Sequence, residues 1–398
     1  MTKEKNQNIL SFYFYYFTTH LLPIYAVYIL IVNDTLQSEV LTSVLIALWA
    51  FVAVVLEIPS GVLADYWNKK NVIIIGQIAK LLGCIIWMFS SSFLLYAMGF
   101  VLWGISESFC SGAIEALLYE ELEHNDNVDQ YQKISGRCRF LMTSGIVLGF
   151  ISGSILKEIN YPCIYYGSIF IATLTVLFTF FIPHYQNKDK KQIETSFYNT
   201  FFDAIKQICG KRLLLRILLY SIVYLSIIGS IEEFIQLWLT ELNIKGFLFG
   251  GLLVIIMLSQ MAGTWLCSVL IIKKRMELFL YAGMFLCGLL LIIGCCNDVF
   301  SITTMIFTFL ITGIMETKLE AFAQEEITDQ RSTIFSINSF VMNLTAIIII
   351  VIIGLISETY SFKISFILLG SVIIIFSLYL ILSYKCELNK EHRTTAST

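Results

Sequence analysis

Six ionisable side chains stand in this sequence where ionisable side chains are rare. His20, Glu107, Glu115, Glu232, Glu233 and Glu316 all fall within, or close to the ends of, long apolar runs. A charge at the centre of a bilayer costs roughly 2.5–3.5 kcal/mol on insertion scales, so residues of this kind usually face one another or water and do work there. A carboxyl group or an imidazole at that depth can take up a proton on one side and give it up on the other. Glu107 and Glu316 are the first choices for such an exchange. His20 reads either as an interhelical hydrogen bond or as a switch. Glu115, like Glu120, Glu320, Glu325 and Glu326, lies near an interface and reads as solvated or paired. Gly104, Glu107, Ser108, Ser111 and Glu115 recur every three or four residues, which predicts one polar stripe down a helix. Glu57 and Lys80, on neighbouring runs, read as a structural ion pair.

Other chemistries find little support. The four histidines are dispersed and no HExxH occurs, so no metal site is expected. Gly210-Lys211 lacks both the upstream glycine and the hydroxyl residue of a nucleotide-binding loop, so ATP is not expected to drive the protein. The ten cysteines are scattered without a CxxC pair and read as reduced apolar filler. No cofactor is expected, and no nucleic acid is needed to explain the lysines. A membrane-embedded enzyme and a non-transporting sensor are the rival classes; neither finds a nucleophile, a metal cluster or an added soluble domain in these residues.

The elements that must position these acids follow from composition. With 57% hydrophobic and 14% charged residues and a mean hydropathy of +0.79, the chain departs far from the roughly 25% charged residues of a soluble domain. Apolar runs near 10–32, 40–64, 71–91, 93–119, 134–156, 163–183, 212–239, 247–271, 277–295, 299–324, 333–356 and 362–384 are each long enough to cross a hydrocarbon core as a helix. The fold class is therefore an all-α membrane protein of about 12 transmembrane helices. Strands of a barrel would show short alternating segments instead. The first run is too long for a signal-peptide core and lacks a cleavage site, so it stays as the first span.

Of the 26 Lys and Arg, only Lys157, Lys245 and Lys363 fall in loops on one side, and Lys80 and Lys318 lie inside spans. The remainder share the other side, which the positive-inside rule makes cytoplasmic, with both termini. The longest polar segment separates an N-terminal six-helix bundle (1–183) from a C-terminal one (212–384), with 184–211 as a linker and 385–398 as a tail. Within the linker, Phe197–Ile208 predicts a short surface helix with Phe201, Phe202 and Ile205 toward lipid.

The halves resemble one another. Glu115, Ala116, Glu120 and Glu121 near the end of the fourth span recur as Glu320, Ala321, Glu325 and Glu326 near the end of the tenth, at an offset of 205 residues. Two parallel six-helix repeats with a solute site near the midplane is a known transporter plan.

After the second span, Gly61, Leu63, Ala64, Asp65, Asn68, Lys69 and Lys70 fit the pattern G-x-L-A-D-x-x-[GN]-[RK]-[RK]. This resembles the signature of the major facilitator superfamily in the same loop, and the twelve-span plan covers the whole chain. The resemblance implies two pseudo-symmetric bundles that rock about a central site, with this loop as a conformational latch. It gives Gly61, Asp65, Lys69 and Lys70 to that latch, with Arg137 or Arg139 as the partner of Asp65. Close packing of helices would explain Gly61 and the ladder Gly145, Gly149 and Gly153. There are departures from the family's drug exporters. Phe100 stands where they carry an arginine, Phe150 where the fifth span has proline, and Ser154 where it has its last glycine. The expectation is a secondary transporter of a small organic solute, monomeric, proton-driven, multi-pass in a bacterial cytoplasmic membrane, with antiport export ahead of uptake. The aromatics crowding the first span, such as Phe12, Tyr13, Tyr15, Tyr16, Tyr25 and Tyr28, are read mostly as packing, with weak support for a hydrophobic substrate.

Overall fold

The computed structural model describes residues 3–183, 205–269, 275–295, 298–327 and 331–395, with the side chains at 3–7, 65–66, 268, 298–299, 331–332 and 386–395 outside the description. Among the described residues there is no strand, and twelve helices are long and apolar enough to cross a membrane. We label them α1 (Asn8–Leu36), α2 (Glu39–Ala64), α3 (Lys69–Met88), α4 (Phe93–His124), α5 (Val128–Ile159), α6 (Tyr161–Phe180), α7 (Arg212–Glu241), α8 (Gly246–Cys267), α9 (Met276–Gly294), α10 (Phe300–Glu326), α11 (Thr333–Thr359) and α12 (Phe362–Lys385). A helix satisfies its own backbone in lipid, which is why unbroken apolar runs take this form. Helices α4 and α5 run past the apolar windows expected for them, because their polar ends stay helical outside the hydrophobic stretch. Short polar side chains open several spans: Ser38 accepts from the amide of Leu41, Asn68 from Lys70 and Asn160 from Cys163.

Among the described residues, three spans contain a break or a change of helix type. In α1 the regular helix ends at His20, a 3₁₀ turn covers Pro23–Ala26, and helix resumes at Tyr28. Proline has no N–H to give and crowds the preceding turn, so the chain opens there. One freed amide, that of Ile24, donates to Ser168 Oγ on α6 at 3.0 Å. In α4 the helix stops at Cys110 and restarts at Ala113, across Gly112 at φ +71°. In α7 a π-helical turn covers Ser221–Leu225.

The chain forms two compact units: Met1–Gln192 with Leu239–Val254, and Ile193–Trp238 with Ile255–Thr398. The linker expected at 184–211 falls largely on residues 184–204, outside the described residues, as does most of the surface helix expected over 197–208; residues 205–210 are helical. Each unit repeats the same pairings. In the first, α3 packs on α4 and α6, α1 on α5, and α2 on α4. In the second, α9 packs on α10 and α12, and α7 on α11. Small residues allow these approaches. A Cβ on Gly76 would lie 2.7 Å from Cys110 Sγ, and one on Gly283 would lie 2.5 Å from Met315 Sδ, two equivalent contacts of the third and fourth helices of each unit.

The starts of the two units are tied in parallel ways. Asn8, opening α1, donates to Glu121 Oε1 at 3.1 Å near the end of α4. Lys211, just before α7, donates to the carbonyl of Glu326 at 3.0 Å at the end of α10. These acids are the pair related by the offset of 205 residues.

Candidate functional site

In the first unit, a polar cluster surrounds the opened stretch of α1. Lys80, near the middle of α3, is buried at 6% exposure and donates from Nζ to Tyr25 Oη at 2.7 Å. The ammonium sits 5.4 Å from the centre of the Tyr25 ring, a distance that follows from the hydroxyl contact and places it at the ring's edge. It sits 5.7 Å from the centre of the Trp103 ring, within reach of a cation–π attraction. Glu107 is exposed one turn beyond Trp103 and acts electrostatically on both Lys80 and Tyr25. His20, half-buried, contacts the carbonyl of Tyr16 through Nδ1 at 3.3 Å and lies within electrostatic range of Lys80.

The expected ion pair of Lys80 with Glu57 does not form: Glu57 is exposed on α2, and Lys80 turns instead to α1 and α4. The expected single stripe along α4 also divides. Gly104 faces α2, where an added Cβ would lie 2.8 Å from the Trp49 carbonyl, and the carbonyl of Ser108 accepts from Ser60 Oγ of α2 at 2.8 Å. Glu107, Ser111 and Glu115 are exposed, and the break at Ser111–Gly112 separates Glu115 from the others. Tyr16 Oη donates to Glu115 at 3.3 Å.

The glycine ladder of α5 receives the opened stretch of α1. A Cβ added at Gly145 would lie 2.5 Å from the Phe17 carbonyl, at Gly149 3.1 Å from that of Leu22, and at Gly153 2.0 Å from that of Pro23. A methyl does not fit at Gly145 or Gly153 without a shift of the α1 backbone and would be tight at Gly149, so the path of α1 and the small residues of α5 specify each other.

In the loop between α2 and α3, Lys69 Nζ pairs with Glu120 Oε1 at 2.7 Å, and Lys70 Nζ donates to the carbonyl of Phe180 at 2.8 Å. The loop is thus tied to α4 and to the end of α6. The side chain of Asp65 lies outside the described residues, and Arg137 and Arg139 are exposed on α5. At Gly61 an added Cβ would meet nothing within 4 Å, so close helix approach is not what this glycine provides here.

The second unit gathers acids. Glu316 on α10 is exposed and accepts from Gln260 Nε2 of α8 at 3.2 Å. Glu232 on α7 is exposed, and the charges acting on it are those of Glu233 and Glu316. The sequence reading put Glu232 and Glu233 on one span and Glu316 on another, without showing that Glu232 and Glu316 approach one another. It missed Tyr25 and Trp103 as partners of Lys80. The available signal was a proline two residues before Tyr25 inside an apolar run, together with a lone lysine in another.

Similarity to known proteins fits this architecture. The sequence model of the Major Facilitator Superfamily matches residues 8–327. Thiamine transporter 2 of Macaca fascicularis is 29% identical over 160 residues, 38% of this chain and 30% of that protein. Its Homo sapiens counterpart is 28% identical over 156 residues, with the same coverage. The match thus spans less than a third of the length of these curated relatives. Among solved structures, the nucleoside transporter NupG superposes with a TM-score of 0.75 at 15% identity, covering 96% of this chain and all of that one. The POT family transporter PepTSo does so with a TM-score of 0.69 at 11% identity, covering 97% and 98%. These structures share the fold. With the family matched over most of the chain's length, twelve apolar helices and two similar units, the chain belongs to the Major Facilitator Superfamily and is a multi-pass membrane protein.

Proposed function

We propose that the carrier moves a small heteroaromatic metabolite and couples its passage to protons. The observation that carries this reading is the cluster of the first unit, where Tyr25 and Trp103 stand beside Glu107, an acid exposed near mid-span. Flat rings stack well on such side chains. Thiamine and nucleosides, the compounds named for the curated relatives and for NupG, are both heteroaromatic. Glu316, held by Gln260, supplies a second candidate proton site in the other unit. The basic loops favour both termini in the cytoplasm, and the chain works as a monomer in this reading.

The test is flux in proteoliposomes with labelled thiamine and labelled uridine under a pH gradient imposed in either direction. Accumulation against the solute's own gradient, abolished by a protonophore, is the expected result. Accumulation driven by an acidic lumen would mean antiport, the basis of the export expected from the sequence. Accumulation driven by an alkaline lumen would mean symport and uptake. Flux that ignores the gradient would overturn the coupling.

A further inference from the structure

Lys80 is an ammonium near the middle of a membrane span whose needs are only partly met inside the protein. Of its three N–H donors, the hydrogen bond to Tyr25 Oη uses one, and the other two have no acceptor among the described residues. No carboxylate of the described residues lies within ion-pair distance of it. The groups that face it are Tyr25 and His20 from α1, Glu107 and Cys110 from α4, and Cys84 of its own helix. Among these only Glu107 is a carboxylic acid, and it acts from a distance. The cluster is open on one side: Glu107 is exposed and Tyr25 and His20 are half-buried, while Lys80 and Trp103, each at 6% exposure, form its floor.

A buried cation with unspent donors, a distant internal countercharge and an indole beside it is the chemistry of a site for an aromatic anion. We propose that Lys80 makes the carrier prefer heteroaromatic compounds that bear an anionic group, carboxylate or phosphate, over their uncharged counterparts by binding that group, and that Glu107 is its alternative countercharge in the empty carrier. The inference rests on the heteroaromatic reading and adds the anionic group to it.

The test uses the purified full-length protein and ligand pairs that differ in the anionic group: nicotinate against nicotinamide for the carboxylate, uridine monophosphate against uridine for the phosphate. Affinity is read by calorimetry. In the wild-type protein the anionic member of at least one pair should bind at least tenfold tighter. Lys80→Gln should lose the preference and Lys80→Arg should keep it, which separates loss of charge from loss of fold. Glu107→Gln should keep the preference. Equal affinity within both pairs, binding of neither member, or an unchanged preference in Lys80→Gln would overturn the proposal. Gradient-driven flux of uridine alongside equal affinities would overturn the anion site while leaving heteroaromatic transport standing.

Discussion

At the scale of single residues, depth along a helix was readable from the sequence and direction around it was not. Glu107 and Glu316 both sit within spans, and both are exposed on their own units rather than packed into them. An amide in place of either carboxyl keeps the shape and removes the proton. Glu107→Gln and Glu316→Gln should therefore abolish gradient-driven flux in proteoliposomes while equilibrium binding changes by less than about threefold, a difference under about 1 kcal/mol. Full active transport by the double variant would sink the assignment. Counting residues from a span's end correctly put Lys80 inside the membrane but could not choose between its neighbours, and the expected partner, Glu57, turned out to be exposed. The true partner lies on a stretch of α1 where helical periodicity no longer applies, so no spacing rule reached it.

At the scale of elements, the twelve spans were legible because hydropathy integrates over some twenty residues, and for the same reason the breaks within them were not. The window that detects α1 averages across Leu21 and Leu22 without registering that the helix has opened there. What fixes the opened segment is the ladder of α5, and that contact gives a sharp contrast. Gly153→Leu forces a side chain into the carbonyl of Pro23, 2.0 Å from where its Cβ would stand, and should destabilise the first unit by about 1–3 kcal/mol. Gly61→Ala, with open space around the new methyl, should leave stability within about 0.5 kcal/mol of wild type. Thermal unfolding of the detergent-solubilised variants, followed by size-exclusion chromatography after heating, reads the difference. Equal midpoints for the two would show that the α1–α5 contact yields easily.

At the scale of the whole molecule, duplication and the side chosen by the lysines are statements about different things. The repeat is carried by matched helix pairings in the two units and by the parallel ties of Asn8 to Glu121 and Lys211 to Glu326. Sidedness is carried by charge alone. Fusions of alkaline phosphatase and of green fluorescent protein, expressed in a bacterial host, should give fluorescence at the C-terminus and phosphatase activity at Lys157, Lys245 and Lys363; the reverse pattern would invert the topology. Lys80 also bears on how the molecule comes into being. A translocating chain presents α3 to the lipid with an ammonium near its middle, a burden of roughly 2.5–3.5 kcal/mol set against a mean hydropathy of 1.8 for that span. Tyr25 precedes Lys80 by 55 residues and is made first, whereas Glu107 is made later. The order of synthesis thus supplies a hydrogen-bond acceptor in the membrane before the countercharge exists, and α3 enters beside a helix already prepared to receive it.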